Sequence, residues 1–539
     1  MSEQQPLQPA HMPWWQRSVI YQLWLRSYYD TDGDGNGDLK GLIAKLDYLS
    51  WLGVDAIWLS PIYPSPMIES GYDVTDFKAV NALLGGLEDF DRLIEEAHRR
   101  DLAVILDFVP NHTSDAHPWF QESRASRDNP RRSWYLWYEP RPGGAPPTNW
   151  VSCFGGSAWT FDKETGQYYY HAFLAQQPDL NLRNPEVQGA ICDAMRFWLA
   201  RGVDGFRMDA VWHIIKDDQL RDNPVNERFT PDLPPDNVVH CVYTRDRPEA
   251  HDVSAMMRRV VDEYDQRMVG GELYVGLDTM MQYYGSPERP ELHMPFNLQL
   301  SVIPWDGKTI PDYIESYYAA LPPHAWPNWA IGTHDASRIV SRAGMGQARL
   351  AAMLLLTLRG TPTVYYGDEI GMHDVDIPRD KISDLREILV PYLGLGRDPA
   401  RTPMQWDGQA NAGFTTGSPW LPIADDYERV NVNVQTDDPC GILALYRRLL
   451  ALRRSSPALS AGGFRTVLRD GPVFVYRRDT GEQHLLVALN FGAEQRAVVL
   501  DIPGYGAGSL LLSTHLDREG EQVGGELALR GDEGVVITL

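Results

Sequence analysis

The chain has 539 residues, 43% hydrophobic and 11% aromatic, which is material for several domain-sized units with large buried cores. Its formal net charge of −24 at pH 7 repels phosphate backbones and anionic headgroups, which excludes a general nucleic-acid or membrane-surface binder. Four scattered cysteines (Cys153, Cys192, Cys241, Cys440) form no CxxC pair, so neither a disulfide framework nor a zinc site is predicted.

The opening residues Met1-Ser2-Glu3-Gln4-Gln5-Pro6 lack the basic and apolar regions of a signal peptide. No apolar run approaches the ~20 residues that cross a bilayer. A cytoplasmic chain with no membrane partner is expected. Residues 1–13 read as a loose arm. Short apolar runs then recur at Val19–Leu25, Ala56–Leu59, Ala103–Val109, Val203–Met208, Met268–Gly271, Phe296–Leu300, Trp329–Gly332 and Thr363–Tyr366. Helix-period stripes lie between several of them, such as Leu87-Phe90-Leu93-Ile94-Ala97 and Ala190-Ala194-Phe197-Trp198. This alternation predicts an α/β fold, a closed (β/α)8 TIM barrel over 14–109 and 181–461. The interval 110–180, rich in aromatics, Pro and Gly, reads as an inserted subdomain after the third strand, and 371–425 as an irregular insertion after the eighth. From 462 to 539 strands between Gly-containing turns predict a C-terminal antiparallel β-sandwich.

Acids and histidines crowd the carboxyl ends of the runs: Asp107, Asp209, Glu272, His334, Asp335, Asp368 and Glu369. In a barrel that end carries the active site. Arg207 and Asp209, two residues apart on a strand, point the same way, and the arginine is expected to lower the carboxylate's pKa and keep it ionised. Three acids from different strands at one mouth suit glycoside hydrolysis: one attacks or stabilises the sugar carbon, one protonates the leaving oxygen, the rest hold hydroxyls. There is no GxSxG elbow, HExxH or P-loop to support other chemistry.

Asp107-Phe108-Val109-Pro110-Asn111-His112, Gly205-Phe206-Arg207-Met208-Asp209, Gly271-Glu272, His334-Asp335, Gln177-Pro178-Asp179-Leu180-Asn181 and Arg397-Asp398-Pro399-Ala400-Arg401-Thr402-Pro403-Met404-Gln405-Trp406 together resemble the α-amylase superfamily of glycoside hydrolases, in its exo-acting α-glucosidase/oligo-1,6-glucosidase branch. The resemblance runs from Trp14 to the C-terminus. It implies Asp209 as nucleophile, Glu272 as acid/base and Asp335 as transition-state stabiliser in a retaining mechanism. It also implies Tyr72, His112, Arg207 and His334 around one glucose unit, with Arg397 closing the pocket. Glu69 stands where the family usually has Asp three residues before the pocket tyrosine, and Thr333 where Asn is common. Ala210, after the nucleophile, leans toward α-1,4 rather than α-1,6 linkages. A short oligosaccharide is then the substrate of a monomer or small homo-oligomer, and a glucosyl transferase or isomerase such as trehalose synthase is the alternative.

Asp30-Thr31-Asp32-Gly33-Asp34-Gly35-Asn36-Gly37-Asp38 places oxygen donors at alternate positions. Position 12 of an EF-hand would be Gly41 rather than Glu, which excludes that motif. Similar enzymes bind Ca²⁺ at a matching loop, so the resemblance implies a structural ion held by the Asp30, Asp32, Asp34 and Asp38 side chains and the Asn36 carbonyl.

Overall fold

The structure, a computed structural model, describes residues 12–500 and 507–539. All but Met12 and Pro13 of the arm expected over 1–13 lies outside them. Met12 itself is buried with Trp15 and Trp326, in contact with the barrel interior.

Eight parallel strands form the central sheet: β1 (Ile20–Leu23), β2 (Ala56–Leu59), β3 (Ala103–Phe108), β4 (Gly205–Met208), β5 (Met268–Glu272), β6 (Met294–Phe296), β7 (Asn328–Ala330) and β8 (Thr361–Tyr365). Each pairs with its neighbour in chain order up to β6, and β8 joins β7 to β1. β6 and β7 lie side by side, so the sheet is nearly closed as a barrel. A helix follows each strand, from Leu39–Leu52 after β1 to Ile442–Ser455 after β8. Inside, Ile20, Ala56, Trp58, Ile105, Met268, Met294 and Phe296 fill the lower barrel. A Cβ on Gly270 would come within 2.2 Å of the Phe296 ring, so only glycine lets that aromatic cross the interior beside β5.

The sixth strand is Met294–Phe296, not Phe296–Leu300. Asn297 ends it: its buried side-chain oxygen accepts from the Gln299 N–H and the Tyr313 hydroxyl, turning the chain into a 3₁₀ helix. In the helix Pro185–Ala200 the buried stripe is Val187, Ile191, Ala194, Met195 and Trp198, whereas Ala190 and Phe197 are half-buried.

Between β3 and Pro185, Gln167–Tyr170 pairs antiparallel with Trp137–Tyr138 and Trp159–Asp162. Buried Lys216, beyond β4, ties this segment down through Asp179 and Asn111. Residues 371–425 hold one short helix, Leu385–Leu389, among 3₁₀ turns. The C-terminal region is a six-stranded antiparallel sheet faced by the pair Arg496–Val499 and Glu526–Leu529. Val475, Leu486, Ala488 and Ile537 meet Val498, Leu527 and Leu529 between them, while Phe474, Tyr476 and Val487 join the main core. The edge strand Gly463–Asp470 carries Arg465, Arg469 and Asp470, which hid it from hydropathy patterning.

Candidate active site

Arg207 is the hub of the barrel mouth, 1% exposed on β4. Its Nη1 lies 2.7 Å from Asp107 Oδ1 and 2.9 Å from Asp209 Oδ1, and its Nη2 2.9 Å from Glu272 Oε1. One guanidinium thus gathers carboxylates from the ends of β3, β4 and β5. Asp107 also accepts from the Tyr72 hydroxyl at 2.9 Å.

Sharing one cation among three acids reverses the expectation that Arg207 holds Asp209 in the ordinary ionised state. Burial, then the charge of Glu272, pushes Asp209 well up, and Arg207 only offsets this. Burial also raises Glu272 against the pull of Arg207, and raises Asp107 to about 6. Arg207 brings the Asp209 and Glu272 carboxyls together, each 2.9 Å from its guanidinium. Two such carboxyls titrate as a coupled pair rather than independently. The N–H of Ala210 donates to Glu272 Oε2 at 3.0 Å, presented by a left-handed turn (φ 47°) that alanine tolerates and a β-branched residue resists.

A second cluster lies beyond β7 and β8. Burial alone would raise Asp335, but His334, Arg397 and Arg401 together hold it well below the usual carboxylate range. Arg401 Nη2 is 2.8 Å from Asp335 Oδ1, and Arg397 Nη1 3.5 Å. Arg397 also grips Asp384 through Nε (3.0 Å) and reaches Glu69 Oε1 at 2.7 Å. The Glu69 methylene that distinguishes it from Asp therefore spans to an arginine, and burial raises its pKa. Shortening it in Glu69→Asp should raise KM for disaccharides about tenfold, the scale of 1.4 kcal/mol, with kcat nearly unchanged; steady-state kinetics read the split.

Burial holds His334 neutral, its pKa lowered to about 3. Its Nε2 is 3.0 Å from the Tyr72 hydroxyl and its Nδ1 2.5 Å from the Gln22 side-chain nitrogen. His112, also lowered to about 3 by burial, donates from Nε2 to the Tyr72 carbonyl at 3.1 Å, backing that residue's main chain. Gln22, Asp384 and Arg401 were absent from the sequence reading as site residues. Arg401 sat inside a motif singled out for Arg397, and Asp384 carries no signal at all. Asp368 and Glu369 turn away from the three catalytic candidates: Glu369 accepts from Tyr21 and Tyr48 at 2.7 and 2.8 Å, and Asp368 lies 3.5 Å from Arg338.

In the acidic loop Asp30, Asp32 and Asp38 bring carboxylate oxygens within 4.8 Å of one another. These three oxygen donors fit a hard cation such as Ca²⁺. Asp34 instead accepts from the Asn36 N–H at 2.7 Å, outside that cluster. Asp38 also caps Leu39–Leu52, accepting from the Gly41 N–H. Among the described residues, no helix is long and apolar enough to cross a membrane.

A nearly closed barrel with three clustered acids at its carboxyl end defines a glycoside-hydrolase architecture. The alpha-amylase catalytic-domain family matches residues 22–462, and the chain belongs to that family. It is 38% identical to an oligo-1,6-glucosidase of Heyndrickxia coagulans, over 91% of this chain and 94% of the other. It is 40% identical to a salivary alpha-glucosidase of Anopheles gambiae, over 93% and 88%. The crystal structure of an alpha-glucosyl transfer enzyme superposes with a TM-score of 0.92 at 40% identity, covering 98% of this chain and 100% of that one.

Proposed function

We propose that this protein is a retaining α-glucosidase that removes terminal non-reducing glucose from short α-glucosides. The carrying observation is that Asp209 and Glu272 meet on one guanidinium, each 2.9 Å from Arg207. Inverting pairs stand about 6.5–9.5 Å apart to admit a water, whereas retaining pairs stand about 5–5.5 Å apart. Asp209 attacks the anomeric carbon as Glu272 passes its proton to the leaving oxygen. Asp335, the most acidic of the three, stays ionised beside the developing positive charge. Glu272, now a base, draws a proton from water or a sugar hydroxyl, which releases glucose from Asp209. Arg397 links Glu69 and Asp384 to Asp335, and we assign this cluster to the closed end of the glucose site, which suits attack from a chain end.

The small Ala210 side chain favours α-1,4 over α-1,6 aglycones. Proton NMR of maltose hydrolysis should show α-glucose before mutarotation, with maltose turned over faster than isomaltose; β-glucose first would sink the retaining assignment. Likeness to the alpha-glucosyl transfer enzyme favours a second reading, in which a sugar acceptor outcompetes water or the product is an isomer such as trehalose. The same spectra separate free glucose from transfer products. The four free cysteines suit a reducing, cytoplasmic setting, and we assign the enzyme there, as a monomer or small homo-oligomer.

We further propose a structural Ca²⁺ at Asp30, Asp32 and Asp38. Burial would raise Asp30, yet hydrogen bonds from Thr415 and the Gly33, Gly35 and Asp32 amides lower it, leaving a charged ligand. Chelation by EDTA should lower the apparent melting temperature by about 2 °C or more, because an ion at 100 times its Kd adds about 2.7 kcal/mol. Asp30→Asn should abolish the difference between chelated and Ca²⁺-loaded protein. An unchanged melting curve in EDTA would remove the ion from the description.

A further inference from the structure

We infer that Gln22 is a positioning residue of this site, its carboxamide fixing which ring nitrogen of His334 carries the proton. The argument follows a hydrogen-bond chain outward from Asp107. Above pH about 6 Asp107 is a carboxylate, which only accepts. Its Oδ2 is 2.9 Å from the Tyr72 oxygen, so Tyr72 spends its single proton there. Tyr72 can then only accept from His334 Nε2, 3.0 Å away, and Nε2 must bear a proton. The ring is neutral, held so by burial and by Arg401, Arg207 and Arg397 against the opposing pull of Asp335. Nδ1 is therefore bare, and it faces the Gln22 nitrogen at 2.5 Å. Turned over, the carboxamide would set its oxygen against that lone pair.

Gln22 is 3% exposed on β1, and its Oε1 has no partner among the described residues. The bond to His334 alone orders the amide. Trp24, stacked on the imidazole with centroids 5.1 Å apart and planes 25° apart, fixes the ring plane. The outcome is an Nε2–H committed to the Tyr72 hydroxyl and facing Asp335 Oδ2 at 3.4 Å, where a bare nitrogen would set its lone pair against that carboxylate. The catalytic consequence rests on the α-glucosidase reading; the proton assignment does not.

The test is a long-range proton–nitrogen spectrum of the intact protein carrying ¹⁵N-histidine, near pH 8, with His334 identified by the peaks lost in His334→Gln. A protonated Nε2 and bare Nδ1 are expected; a proton on Nδ1 overturns the inference, whatever the enzyme's substrate. Gln22→Glu gives an independent arm. Its ionised carboxylate demands a donor from Nδ1, so kcat at about pH 8 should fall at least tenfold, while near pH 5 the protonated acid donates as the amide did and kcat returns to within about threefold of wild type. A purely structural role predicts a constant ratio to wild type across pH, and that result refutes the assignment. Should Gln22→Glu fold poorly, the histidine spectrum decides alone. Inactivity on every glucoside with the expected spectrum would reject the hydrolase reading and leave the proton assignment standing.

Discussion

Asp209→Asn should lower kcat on maltose by about 10⁴-fold or more, equivalent to roughly 5.5 kcal/mol of lost transition-state stabilisation. An amide is a poor nucleophile, yet it preserves the shape that packs against Arg207, and its O can still face Nη1 at the 2.9 Å the carboxylate occupies. The fold and melting temperature should change little, which circular dichroism checks. Glu272→Gln should differ in kind. Disaccharides, whose leaving oxygen needs a proton, should lose about 10³-fold, while a p-nitrophenyl α-glucoside, whose leaving group departs unaided, should still form the glucosyl–enzyme. Azide, an anion that needs no general base, should then restore turnover of the aryl glucoside as an α-glucosyl azide. Equal damage on both substrates, or azide rescue giving the β-product, would separate Glu272 from the acid/base role.

What the sequence disclosed follows the physics of each signal. Strands buried on both faces read as apolar runs, and the acids at their ends stand out against runs that carry little charge. Hence β2 and β3 lay where hydropathy placed them, and Asp209, Glu272 and Asp335 were picked out. A run cannot show where pairing stops when the breaker is a single side chain, and Asn297 ended β6 unseen. Nor does proximity to a strand end say which way an acid points: Glu369 looked like a mouth residue and is buried on Tyr21 and Tyr48. Electrostatics were least legible. The pairing of Arg207 with Asp209 was visible in their spacing, but the sign of the resulting shift depends on Asp107 and Glu272, which arrive from 102 residues before Asp209 and 63 residues beyond it. Asp384 and Gln22 act through arginine and histidine partners far off in the chain, 13 and 312 residues away, and no local pattern marks them.

Arg207→Met puts that electrostatic balance to the sharpest trial. Methionine fills much of the arginine's volume beside Trp58, so cavity formation contributes little. What remains is three buried acids without their cation. Removing one partner of a buried ion pair costs about 3–5 kcal/mol, and the unfolding entropy of a chain this long, about 1 kcal/mol/K, converts that into a fall of roughly 3–5 °C in apparent melting temperature. Activity should drop at least 10³-fold, since the three acids then lose the cation that sets their charges and holds them in place. The pH dependence fixes the cause. Asp107, Asp209 and Glu272 already titrate above their unfolded values, and losing Arg207 raises them further. The native state then binds more protons than the unfolded chain, so the variant's stability falls as pH rises through those raised values. Its deficit against wild type should be smallest near pH 5 and largest near pH 8 in parallel melting curves. A deficit that stays flat, or shrinks toward high pH, would mean that packing rather than charge is what Arg207 contributes.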